Sequence, residues 1–276
     1  MSNTLFINKN ILFILVAMAF FVTGCTSSSS MKNDLGQSEV NDPLEPVNRA
    51  VFKFNEGVDY VVFAPLARGY KAIVPKKGQT GIRNFLRNLA SPIDFTNQLL
   101  QGDFEGAADV TGRFLLNTTF GLGGFIDIAE SEAGVEYEGE DFGQTLAVWG
   151  VGDGPYVVLP FLGPSNARDT VGLAADTAGD PLNWYVNRTN RDWQAYTRAG
   201  LTAIDTKARL LDPMSELKES SLDYYATVRS IYKQFREAAI ADRGSSSFAE
   251  TVKKEEDAVS NVSTSYDDLD FANYDD

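Results

Sequence analysis

The side chains in this sequence that could do chemistry are few in kind. Histidine is absent and Cys25 is the single cysteine among 276 residues. Without imidazole, Ser-His-Asp and Cys-His nucleophiles are ruled out, as are zinc sites built on histidine. No G-x-S-x-G elbow, P-loop or HExxH motif occurs either. Asp and Glu number 38, so a carboxylate pair of the kind that hydrolyses glycosides stays open. Acids this frequent single out no pair. The residues therefore point away from an enzyme, and no metal or diffusible cofactor is expected. What remains is the thiol of Cys25.

That thiol sits at the end of a secretory signal. Lys9 supplies an n-region charge, and Ile11 to Val22 is an unbroken apolar run. Twelve residues are too few to cross a hydrocarbon core of about 30 Å as a helix, yet they suit a cleaved signal. Val22-Thr23-Gly24-Cys25 resembles a lipobox, in which the thiol is diacylated, the chain is cut before Cys25 and the new amine is acylated. Three acyl chains exceed the two signals needed for stable anchoring. Thr26 follows where an Asp would resemble an inner-membrane retention signal, so the outer membrane of a Gram-negative bacterium, on its periplasmic side, is expected. A lone cysteine forms no internal disulfide. Removing the signal, whose only charge is Lys9, takes the net charge from −14 to −15. So acidic a chain argues against nucleic acid as a partner.

The elements that would carry any site are helices. Residues 1–24 read as signal and 25–41 as a flexible tether. A folded body spans 42–243, and 244–276 reads as a disordered acidic tail of charge −7. In the body, Val47, Val51, Phe54, Val58 and Val61 recur at helical spacing, with Asp42 as a candidate cap. Ile82 to Leu89 predicts a helix that stops at Ser91-Pro92. Asp103 can cap another, carrying Ala107, Val110, Thr111, Phe114 and Leu115. Gly121 to Ala129 breaks the period, and an acidic loop follows from Glu130 to Asp141. Phe142, Leu146 and Trp149 make a short helical face, Tyr156 to Leu159 is extended, and Ser165 to Ala178 predicts a helix. Two long helices, on Trp193 to Leu211 and Tyr225 to Ala239, close the body. The class is mainly α. Periodicity alone favours apolar faces meeting in one soluble core; the other arrangement turns some of them towards acyl chains.

Three segments, DPLEPVNRAVFKFN (Asp42 to Asn55), FLLNTTFGLGGFIDIA (Phe114 to Ala129) and DFGQTLAVWGVGDGPYVVLPFLGPSNARD (Asp141 to Asp169), resemble the MlaA/VacJ family of outer-membrane lipoproteins. The resemblance implies a ring-like bundle of amphipathic helices in the inner leaflet of the outer membrane, with a central amphipathic channel. It implies removal of mislocalised phospholipid from the outer leaflet, beside a trimeric porin, and delivery to a soluble periplasmic phospholipid carrier. Such a path needs no nucleophile, and the covalent diacylglyceryl and N-acyl groups on Cys25 would be the only added chemistry. Asn48, Arg49, Gly121, Gly123 and Gly124 are candidates for the lipid path, with Arg49 placed to meet a phosphate. For Asn48 and Arg49 the plainer alternative is a solvated face or an internal salt bridge; for the glycines it is a loop needing positive φ. A structural lipoprotein that scaffolds porins or the envelope without moving lipid stands as the alternative function.

Overall fold

The computed structural model describes residues 41–189 and 191–241. The proposed signal, lipidated cysteine, tether and acidic tail lie outside the described residues, apart from Asn41 at the tether's end. Ten α-helices and one two-stranded hairpin make up the described body.

Helix α1 (Glu45–Val58) runs through a five-residue π turn (Asp59–Phe63) into α2 (Ala64–Ile73). Pro65 explains the turn: it has no N–H to give back to the helix, and the Ala64 N–H instead reaches the Asp59 carbonyl, one residue further than in an α-helix. Asp42 does not cap α1 as expected. Leu44 holds the cap position without a side-chain bond, and the Asp42 carboxylate is taken by Asn48, Tyr225 and Arg229.

Helix α3 (Lys76–Gln101) passes straight through Pro92, where a stop was expected. Proline costs one backbone bond, yet α3 stays helical where it packs along α4 (Phe104–Thr119), its most extensive neighbour. Gly102, at φ +83°, ends α3 by donating to the Gln98 and Leu99 carbonyls, and Asp103 caps α4 through the Gly106 N–H. The acidic loop begins as a helix, α5 (Ile128–Ala133), because Asp127 caps it. Next come α6 (Phe142–Val148), β1 (Tyr156–Leu159) and β2 (Gly163–Asn166), the strands pairing antiparallel from Tyr156 opposite Asn166 to Leu159 opposite Gly163. Ser165 and Asn166, expected in a helix, belong to β2, and Asn166 caps α7 (Ala167–Gly179). Helices α8 (Pro181–Arg188), α9 (Asp192–Ser220) and α10 (Tyr224–Ile240) complete the body.

The interior reverses the usual rule. The largest fully buried side chains are Gln98, Asn48, Asn97 and Thr145, and five of the buried apolar residues are alanines. Among the described residues, Tyr156, Val158 and Tyr225 form an apolar cluster, with Val51, Phe52 and Tyr232 against them. Outside, Val47 and Val61 on the face predicted to seek a core are 59% and 70% exposed. The single soluble core favoured by periodicity is therefore not what forms. No described helix is long and apolar enough to cross a membrane.

Candidate functional site

Polar knots recur through the described body, and four of them bear on the candidate residues. The first joins α1, β1 and α10. Asn48 is 1% exposed; its amide donates to the Tyr156 carbonyl at 2.9 Å and to Asp42 at 2.8 Å, while its oxygen accepts from the Val158 N–H at 2.9 Å. Both amide hydrogens are donated and the oxygen accepts one bond, so Asn48 ties α1 to β1 inside the protein. Arg49 pairs with Glu45 at 2.7 Å and Asp223 at 2.6 Å and stacks over Tyr225. The plainer alternative, an internal salt bridge, describes its geometry. Burial raises the Asp42 carboxyl, but the bonds from Tyr225, Arg229 and Asn48 outweigh it and hold the group below the usual carboxylate range.

A second knot fixes the glycine loop. Asn117 donates to Asp127 at 2.9 Å and accepts from the Ala129 N–H at 3.0 Å, while Arg113 bonds Asp127 at 2.5 Å and the Val135 carbonyl. Asn88 ties Thr118 and the Gly123 carbonyl. Gly121 is wedged against the Ile126 and Asn117 carbonyls, and Gly124 against Asn88, whereas Gly123 faces open space. Phe120, Leu122, Phe125 and Ile126 all leave this loop towards the outside. Gly121 and Gly124 thus allow the close backbone packing at the base of this loop, and Gly123 does not.

The third knot centres on Asp169. Arg236 bridges it to Asp141 with contacts of 2.6 to 3.0 Å, Tyr232 donates to it at 2.5 Å, and Arg168 joins it to Asp153. Arg168 and Asp169, adjacent in sequence, are an intramolecular pair.

The fourth knot lies under a cleft of about 360 Å³ between α3, α4 and the segment after α5. Asp94, at its floor, accepts from the Glu140 N–H at 3.1 Å and from the Tyr137 hydroxyl at 3.4 Å. Burial pushes the Asp94 carboxyl up to about 7, against the pull of those two bonds. The folded chain therefore keeps a proton that the unfolded chain releases near pH 4. Its stability should fall as pH rises from about 4 to about 7. Asp94→Asn should flatten that part of the curve and be the more stable protein at pH 8. Urea midpoints of both proteins at pH 5 and pH 8 check this; a wild-type minus variant difference that does not change between them would refute it.

None of the cleft residues stands among the site candidates read from the sequence, though Ser91 is read there as a helix stop and Val110 as part of a helix. A signal was there: Asn84, Asn88, Ser91, Asp94 and Gln98 recur at steps of three and four along α3. A polar stripe at helical spacing marks a face as surely as an apolar one. Among the described residues no group of three potential ligands could hold a metal ion.

A helical body with polar knots inside, aromatic and aliphatic side chains outside and no spanning helix has the build of a protein that lies against lipid. The comparisons refine this. The model of the MlaA lipoprotein family matches residues 40–239. The chain is 39% identical to the intermembrane phospholipid transport system lipoprotein MlaA of Escherichia coli, covering 81% of this chain and 85% of that one. It is 36% identical to the protein of the same name in Haemophilus influenzae, over 82% and 88%, and 37% identical to an uncharacterised protein of Rickettsia prowazekii, over 76% and 82%. A structure solved in work on the structural basis for maintenance of bacterial outer membrane lipid asymmetry superposes with a TM-score of 0.63 at 36% identity, covering 72% of this chain and 98% of that chain. The chain belongs to the MlaA lipoprotein family.

Proposed function

We propose that this protein removes mislocalised phospholipid from the outer leaflet of the outer membrane and passes it to a soluble periplasmic carrier, keeping the two leaflets different. The observation that carries the reading is the inverted body: apolar side chains outside, where they can lie in one leaflet, over an interior held together by polar side chains. Relatives named for intermembrane phospholipid transport support it. In this reading the helices form a ring around an amphipathic channel, a trimeric porin sits beside it, and acyl groups on Cys25 hold it to the membrane. No bond in the lipid is made or broken, and direction comes from the carrier.

Deleting the gene should raise phospholipid in the cell's outer leaflet, and restoring it should reverse the rise. Restoration with Cys25→Ser, made at equal protein level, should not. An outer leaflet unchanged by deletion would overturn the transport reading in favour of a scaffold.

A further inference from the structure

The cleft over Asp94 carries a feature that the fold alone does not explain. Gln98 lines it and is 2% exposed, yet its side-chain oxygen Oε1 accepts no hydrogen bond. A buried acceptor left unmade costs about 1–3 kcal/mol, so this one marks a place where a donor belongs. Gly106 lets the Gln98 amide lie against α4, because a Cβ there would stand 2.7 Å from the Gln98 Cδ and Nε2. The lining is also charged in one sense. Asp109, Glu136 and Glu138 are on its walls, and the one lining cation, Arg113, is already bound to Asp127 and the Val135 carbonyl. The acids do not converge as metal ligands do.

We propose that this cleft is a subsite for a primary ammonium group, which donates to Gln98 Oε1 while its charge faces Asp109 and Glu136. An N–H donor satisfies the orphaned oxygen, and a cation suits the acidic walls. A quaternary ammonium brings the charge without the donor, so the subsite separates an ethanolamine headgroup from a choline one. Assigning the ammonium to a lipid headgroup rests on the transport reading above; the subsite itself does not.

The test uses the full lipidated chain in detergent micelles and measures calorimetric affinity for three short-chain probes, dihexanoyl phosphatidylethanolamine, phosphatidylcholine and phosphatidylglycerol. The ethanolamine lipid should bind at least about tenfold tighter than the choline lipid, as expected for one charge-assisted hydrogen bond. Gln98→Met should bring those two within about twofold, and Asp109→Asn/Glu136→Gln, at exposed positions, should weaken the ethanolamine lipid without touching the fold. Free ethanolamine that binds as tightly as the lipid, with the same sensitivity to both variants, would keep the subsite and make a soluble amine its ligand. Equal affinity for the ethanolamine and choline lipids, or a preference indifferent to both variants, would overturn it. An outer leaflet unaffected by gene deletion would overturn the transport reading while leaving these affinities in place.

Discussion

Arg236→Ala should cost about 2–3 kcal/mol of folding free energy, between the about 0–1 kcal/mol of an exposed ion pair and the about 3–5 kcal/mol of a fully buried one. The intermediate value follows because Arg236 is half-buried between the half-buried Asp169 and the more exposed Asp141. Arg236 holds Asp141, which caps α6, and Asp169, which lies in the first turn of α7. Burial opposes ionisation of Asp141, and the bond to Arg236 is what keeps its carboxyl below the usual range. Without the guanidinium two carboxylates face each other across the α6–α7 contact. For a body of this size the melting temperature should drop by roughly 10 °C. The cost is one of stranded charge, so a triple variant carrying Arg236→Met, Asp141→Asn and Asp169→Asn should recover much of it. Thermal unfolding of wild type, single and triple variants in one detergent decides the matter. A single variant within about 1 kcal/mol of wild type would show that the knot is not what joins α10 to α6 and α7.

Gly121→Ala should do comparable damage, and Gly123→Ala should do little. At Gly121 a Cβ would stand 2.1 Å from the Ile126 carbonyl oxygen and 2.5 Å from that of Asn117. Both are backbone atoms held by the Asn117–Asp127 knot, so neither yields cheaply, and a loss of about 3 kcal/mol or more is expected. At Gly123 nothing lies within 4 Å, and only its φ of +72° resists substitution, which costs about 1–2 kcal/mol. Urea unfolding of the two proteins gives the ranking. Reversed ranking, or Gly121→Ala equal to wild type, would mean that the loop is not wedged as described.

These two cases show where the sequence speaks and where it is silent. Gly121, Gly123 and Gly124 are visible as a break in periodicity, but their unequal roles depend on Asn117, Asn88 and Ile126 arriving beside them. The long helices α9 and α10 were legible because their apolar period is sustained, and Asp103 and Asp141 stand just before a helical pattern, where a cap belongs. Pro92 misled because a local rule about proline yields to the packing of α3 on α4. β2 was missed because Gly163-Pro164-Ser165-Asn166 has the composition of a turn; only its neighbour β1 makes it a strand. Asn48 could be placed on the polar side of α1 but not inside the protein, since that depends on a strand more than a hundred residues away. Most consequential, periodicity fixes which residues share a face and says nothing about whether that face meets protein or lipid.

The outward placement of the apolar side chains also bears on how this protein responds to temperature. The heat-capacity change of unfolding comes chiefly from apolar surface newly wetted as the chain opens. In detergent or lipid, the exposed Val47, Val61, Phe120, Leu122 and Trp193 are out of water before unfolding and can remain so afterwards. Much of what unfolding wets instead is amide, hydroxyl and carboxylate, whose hydration lowers heat capacity. The stability curve of this body in detergent or lipid should therefore be shallow for its length, and it should lose less on cooling than a water-soluble bundle of equal size, whose cohesion weakens as the hydrophobic effect fades.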